Sequence, residues 1–443
     1  MASAAEQLAA NLNFSALAKA DELKKRIWFT LGALVVYRLG TYIPLPGIDP
    51  AVWSQVFRQQ AGGILGMFNM FSGGGIDRMA IFALNIMPYI SAAIILQLLQ
   101  SVSPKLEALK KEGEAGRKVI NQYTRYLTLV LAALQAYGIA IGLQGAGNVV
   151  SQPGPFFLLS TTITLTGGTM FLMWVGEQIT ARGIGNGISL IIMAGIVAEL
   201  PSAIVGTLEL GRQGALSTGL ILGILVMAVA VIGIIVFVER AQRRLLIQYP
   251  KRQVGNKMFE GQSSHLPLKL NTSGVIPPIF ASSLLLLPGT VANFNAGAGP
   301  EWFQWLTTQL SHGRPAYLIL YLGMIVFFTF FYTAVVFNPT ETADNLKKHG
   351  GFIPGIRPGE RTAEYIDYVL SRITVVGAIY LALVCLVPEI LISYASVPFY
   401  FGGTSLLIVV SVTMDTVAQV QGYLLAHQYE GLIRKSKGKG RRR

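Results

Sequence analysis

The chain has 443 residues, 52% hydrophobic and only 13% charged, where an average soluble domain has about a quarter of its residues charged. Its net charge is +13, with one cysteine, Cys385, and four scattered histidines. That inventory leaves no disulfide framework and no metal-ligand spacing, and repeated apolar runs of span length argue against a soluble enzyme with buried helices.

In chain order the apolar runs predict ten spans: Ile27–Ile43, Met79–Leu99, Gln122–Leu143, Phe156–Gly176, Ile184–Val205, Thr218–Val238, Thr272–Val291, Ala316–Phe337, Ile373–Leu391 and Phe399–Leu424. The first follows Lys24-Lys25-Arg26 and lacks a small-residue cleavage pattern, so it reads as a retained span rather than a cleaved signal. Between the first two lies Gly62 to Gly75, apolar at Ile64, Leu65, Met67, Phe68, Met70 and Phe71, with Asn69 among them and glycines at both ends. As a helix it would reach about 21 Å, short of the roughly 30 Å of hydrocarbon in a bilayer. A segment that cannot span must sit inside protein or line an aqueous cavity. The expectation is a plug seated in a pore.

Lysine and arginine give the orientation. Across the ten spans, all but five of the 35 (Arg38, Arg58, Arg78, Arg212 and Arg314) fall on the face that carries the N-terminus. An even number of spans then puts both termini in the cytoplasm. Topology thereby accounts for most of the positive charge, and nucleic acid drops from primary ligand to a docking surface such as ribosomal RNA.

Two long cytoplasmic loops, 239–270 and 338–371, exceed what a linker needs. The first holds Arg243, Arg244, Lys251, Arg252 and Lys257, with a basic hairpin expected around Gly255. The second holds Lys347, Lys348 and Arg357 on a path set by glycines and prolines.

Two spans are weakly apolar. Met79–Leu99 carries Asn85, Pro88, Ser91 and Gln97, and Asn271–Pro288 carries Ser282 and a Pro277-Pro278 pair expected inside its helix. These polar groups either bond to neighbouring helices or form a polar seam. Ile86 and Ile90, and Ile188 and Ile192, each share a helix face; by spacing alone such pairs are packing residues. Glycine pairs Gly138/Gly142 and Gly219/Gly223 fit close helix contact. The run Gly183–Gly187 reads as a flexible lead into the fifth span. No nucleotide, hydrolase or zinc motif is present, and the spans hold few ionisable groups, Arg38 and Asp415 among them. Of three readings, a passive channel, a solute transporter and an intramembrane hydrolase, the second lacks its intramembrane charge network and the third its catalytic pair.

The stretches GMFNMFSGGGIDRMAIFALNIMPYISA, GTMFLMWVGEQITARGIGNGISLII, NPTETADNLKKHGGFIPGIRPGERTA and PFYFGGTSLLIVV closely resemble the bacterial SecY family, from about Ala20 to Tyr429. The resemblance implies an all-α polytopic fold of ten transmembrane helices in two inverted five-helix halves around an hourglass pore. Its divisions would be an N-terminal tail (1–26), spans one to five (27–205, plug 62–75), a hinge (206–217), spans six to ten (218–424) and a basic tail (425–443). It implies a protein-conducting channel in the bacterial inner membrane that passes unfolded polypeptides and releases apolar segments sideways into lipid.

On the same resemblance, Ile86, Ile90, Ile188, Ile192, Ile279 and Ile408 form the pore constriction. Ser91, Gln97, Ser282 and Leu287 belong to a lateral gate. The basic loops, Arg357 foremost, dock the SecA motor or the ribosome. SecE and SecG would be membrane partners, signal peptides and unfolded clients the cargo. No cofactor, metal or catalytic residue is expected.

Overall fold

The computed structural model describes residues 21–60, 69–145, 149–214, 217–249, 252–254, 257–259, 263–294, 305, 309, 314–395 and 403–440. These residues are mostly helical. Seven helices are long and apolar enough to cross a membrane, and two shorter apolar helices, Met87–Val102 and Ile276–Leu285, accompany them. The chain divides into two compact units. One comprises Met1–Glu209, Leu286–Ser311 and Ile408–Arg443; the other comprises Leu210–Leu285 and His312–Leu407.

In the first unit, α1 (Asp21–Gly40) and α2 (Pro50–Gln60) precede α3 (Met87–Val102), α4 (Pro104–Lys111), α5 (Glu114–Gly145), α6 (Pro155–Arg182) and α7 (Gly187–Arg212). Helix α5 packs against α3 and α6, and α1 against α6. Their shared core includes Leu45, Trp53, Phe57, Ala136, Ala140, Leu143, Val149, Phe157 and Leu165. Small residues allow this approach: Ala136 and Ala140 are wholly buried on one face of α5, as are Thr161, Leu165 and Thr169 on α6.

The second unit holds α8 (Thr218–Arg240), strands β1 (Gln242–Gln248), β2 (Arg252–Val254), β3 (Lys257–Phe259) and β4 (Ser263–Lys269), and the start of helix α9 (Ile276–Phe294), which passes into the first unit at Leu286. Then come α10 (Pro315–Val336), α11 (Pro339–Lys348), α12 (Glu360–Ala395) and α13 (Gly403–Gly440), whose later part belongs to the first unit. Helix α8 turns Leu222, Leu225, Val226, Val229 and Phe237 outward. A row of that kind suits hydrocarbon and not water.

Several expectations are corrected. The span Met79–Leu99 becomes helical only at Met87. Asn85 has φ +48°, outside helical space, and Pro88 can neither donate to Leu84 nor tolerate its carbonyl in a continuing helix. Residues 79–86 therefore form a non-helical strap. For the same reason Pro277 and Pro278 fall in the first turn of α9, which starts at Ile276, where a missing amide costs nothing. The lead Gly183–Gly187 is a packed corner rather than a flexible one: a Cβ on Gly187 would stand 2.0 Å from the Gly176 carbonyl oxygen, and one on Gly183 2.4 Å from Thr30 Oγ1. Among the described residues nothing lies within 4 Å of a Cβ at Gly219 or Gly223, so that pair makes no close contact with any of them. Finally, α12 begins at Glu360, well inside the loop expected to run to 371.

Candidate functional site

Residues Asn69–Gly75 close the short apolar segment, and their surroundings are polar where the segment itself is not. Met70 and Phe71 are buried. After them Gly73 and Gly74 adopt φ +64° and +80°, values open to glycine but strained for other residues. The turn folds back on itself: Gly73 N donates to Met70 O at 3.3 Å and Gly74 N to Asn69 O at 3.0 Å. Asn69 Oδ1 accepts from Asp77 N at 2.9 Å, and Ser72 Oγ accepts from Ile76 N at 3.3 Å.

Frame side chains hold the next carbonyls. Asn85 Nδ2 donates to Phe71 O, the Tyr37 hydroxyl to Ser72 O at 3.2 Å, and Arg38 Nη1 to Gly73 O. Against α7 the approach is backbone to backbone, with the Gly195 Cα 2.9 Å from a Cβ placed on Gly73. The strap beyond is fixed by Leu45 N to Met79 O and Ile81 N to Ile43 O, both 2.9 Å. Phe82 stacks between Tyr37 and Phe171. Of the segment's expected residues, Ile64, Leu65, Met67 and Phe68 lie outside the described residues.

The strap delivers Ile86, fully buried, to the start of α3, where its carbonyl accepts from Ile90 N at 3.1 Å. The pair keeps one-turn spacing although Ile86 itself is not helical. On α7, Ile192 is buried and Ile188 half-buried beside Gly176. Ile279 on α9 and Ile408 on α13 are buried as well. These are apolar side chains with no chemistry to offer beyond excluding water.

The expected gate residues satisfy themselves locally. Ser91 Oγ donates to Met87 O at 3.2 Å and Ser282 Oγ to Ile279 O at 3.0 Å. Gln97 is half-buried, its Oε1 without a hydrogen-bond partner among the described residues. The side chain of Leu287 lies outside the described residues.

The two basic loops make one body in the second unit. β1 pairs antiparallel with β4, and Gln248 exchanges backbone bonds with Phe352, N to O at 2.9 and 3.0 Å. Leu245, Leu268, Ile353, Ile366 and Ile373 form the core between hairpin and helix. Arg243 and Arg244 on β1 are exposed, as are Lys347 and Lys348 in the last turn of α11. Arg252 and Lys257 lie on the paired strands β2 and β3; Lys251 and the expected turn at Gly255 lie outside the described residues.

Arg357, exposed, lines a cavity of about 390 Å³ with Arg361, Glu364, Tyr365 and Tyr368. Gly355 and Gly359, at φ +81° and +109°, bend the loop, and Thr362 Oγ1 donates to the Arg357 carbonyl at 3.0 Å. The family resemblance singles out Arg357 but not the tyrosines and Glu364 beside it. Their spacing on α12, three and four residues apart, was the available signal.

Helices with lipid-suited outer faces, a non-spanning segment clamped among them and a basic head define a polytopic membrane protein of the transport class. The family model SecY matches residues 80–417, and the chain belongs to the SecY family. It is 58% identical over 431 residues to the protein translocase subunit SecY of Vibrio cholerae, covering 96% of this chain and 97% of that protein. The corresponding subunit of Escherichia coli K12 is 56% identical over 423 residues, covering 95% and 96%. Among solved structures, one described as a protein conducting channel matches with TM-score 0.62 at 17% identity, covering 90% of this chain and 92% of that one. Sec61 from the canine ribosome–channel complex matches with TM-score 0.60 at 17% identity and the same coverage. These two likenesses concern the fold. The family is one of translocation channel subunits, not enzymes.

Proposed function

We propose that this chain is the channel subunit through which unfolded secretory polypeptides cross the membrane and from which apolar segments pass sideways into lipid. The observation that carries the reading is near-full-length identity above one half to translocase subunits, joined to a glycine-bent segment seated among side chains of its own bundle.

In this reading residues 62–75 are the plug. Ile86, Ile90, Ile188, Ile192, Ile279 and Ile408 form a greasy constriction that parts for a peptide and otherwise excludes water. Ser91, Gln97, Ser282 and Leu287 belong to the lateral gate, spans one to five and six to ten are the two halves, and 206–217 is the hinge between them. The basic head around Arg357 docks the SecA motor or the ribosome, which supply the energy. SecE and SecG are its membrane partners, and the chain lies in the bacterial inner membrane with both termini cytoplasmic.

Deleting Phe68–Gly74 tests the plug. The complex reconstituted in a planar bilayer should assemble and pass ions at rest; a resting conductance equal to that of the native channel would overturn the assignment.

A further inference from the structure

A helical turn that ends leaves its last carbonyls without amide partners. The turn at Asn69–Ser72 can be accounted for carbonyl by carbonyl. Those of Asn69 and Met70 are taken by the amides of Gly74 and Gly73, as in a left-handed helix cap. The following three, on Phe71, Ser72 and Gly73, are taken by Asn85, Tyr37 and Arg38 in turn.

We propose that Asn85, Tyr37 and Arg38 are positioning residues that latch the plug, each holding one of three consecutive carbonyls; this rests on the plug reading above. The latch grips backbone, so its strength does not depend on which side chains the plug carries. Its own members are tied down. The Arg38 guanidinium bonds Tyr42 Oη at 3.0 Å and lies 4.9 Å from the Tyr42 ring centre, while Arg78 lies 4.2 Å from that same ring. Glu199 on α7 closes the other side of the turn: a Cβ on Gly74 would stand 2.4 Å from Glu199 Oε1 and 3.1 Å from Arg78 Nη1.

The seated state is also left imperfect. Among the described residues Asn85 Oδ1 and Arg78 Nη1 are buried without hydrogen-bond partners, and each such group works against burial. Three bonds favour seating and two orphaned groups oppose it, which suits a plug that must leave on demand.

The test uses the reconstituted complex in a planar bilayer and compares Tyr37→Phe, Asn85→Asp and the Phe68–Gly74 deletion, alone and combined. Losing one such bond should raise the resting open fraction about five-fold. In the deletion background Tyr37→Phe should add nothing, because the group it holds is gone. If the deletion leaks while Tyr37→Phe and Asn85→Asp stay as tight as native, the latch is wrong and the plug stands. If Tyr37→Phe leaks further in the deletion background, Tyr37 serves the bundle and the latch is again wrong. If the deletion itself does not leak, the plug reading fails and the latch with it.

Discussion

Gly187 stands where one methyl group would meet the Gly176 carbonyl oxygen at 2.0 Å and the Ile179 Cβ at 2.8 Å. Neither obstacle is the far end of a flexible side chain, so α6 and α7 would have to part at their corner. Gly187→Ala should therefore destabilise the fold by about 1–3 kcal/mol, read as a lowered Tm in detergent. The same substitution at Gly219, where the space is open, should leave Tm unchanged within error or raise it slightly, since alanine favours helix. Equal shifts at both positions would show that the corner is not tightly packed. Spacing in the sequence pointed the other way, towards Gly219/Gly223 as a contact and Gly183–Gly187 as loose. A glycine is silent about whether it supplies freedom or merely room, and only the neighbours decide.

At the scale of elements, what the sequence made legible is what hydropathy and proline chemistry determine. The apolar runs gave helices close to their observed places, and the glycine-rich end of the short apolar segment gave a turn. Helix starts were less legible: Pro88 and Pro277 fall inside runs read as continuous spans, and hydropathy does not tell a proline that opens a helix from one that interrupts it; Asn85 at φ +48° settles the first case. The donors Tyr37 and Arg38 lie 35 residues before the carbonyls they hold, and a bond to backbone carbonyl leaves no mark on the acceptor's sequence. The union of the two basic loops was hidden for a similar reason. β4 contains Pro267, which weakens a strand reading, yet it is tolerated opposite Arg244 in a two-stranded ribbon. That union bears on docking. With Leu245, Leu268 and Ile366 fixing hairpin to helix, Arg357 is presented from a rigid rim beside Tyr365 and Tyr368. Reversing it with Arg357→Glu should cut motor-driven export into vesicles by at least about ten-fold, the scale of one buried charge-assisted contact. Membrane assembly and Tm should stay unchanged, because the side chain is exposed. Normal export by the variant would remove Arg357 from the docking surface.

The whole molecule carries its charge unevenly, and that asymmetry makes a claim about orientation that no single residue makes. On the expected ten-span count, the basic residues of β1, α11, the 355–359 loop and the tail of α13 fall on the lysine- and arginine-rich face, whereas the connection between α5 and α6 around Gln152 carries no charge. Lysine and arginine resist crossing the bilayer, so head and tail should share the cytoplasmic side and Gln152 should lie opposite. The single cysteine makes this measurable. Cys385 is buried, and a Cys385→Ala background removes it altogether. In that background Gln152→Cys, at an exposed position, should react with a membrane-impermeant maleimide in right-side-out vesicles. Ser436→Cys in the tail should react only in inverted ones. Labelling of both in the same orientation would mean an even number of crossings between them, where the ten expected spans place seven. Reaction of Ser436→Cys in right-side-out vesicles would detach the basic tail from the cytoplasm, and with it the docking of any motor or ribosome there.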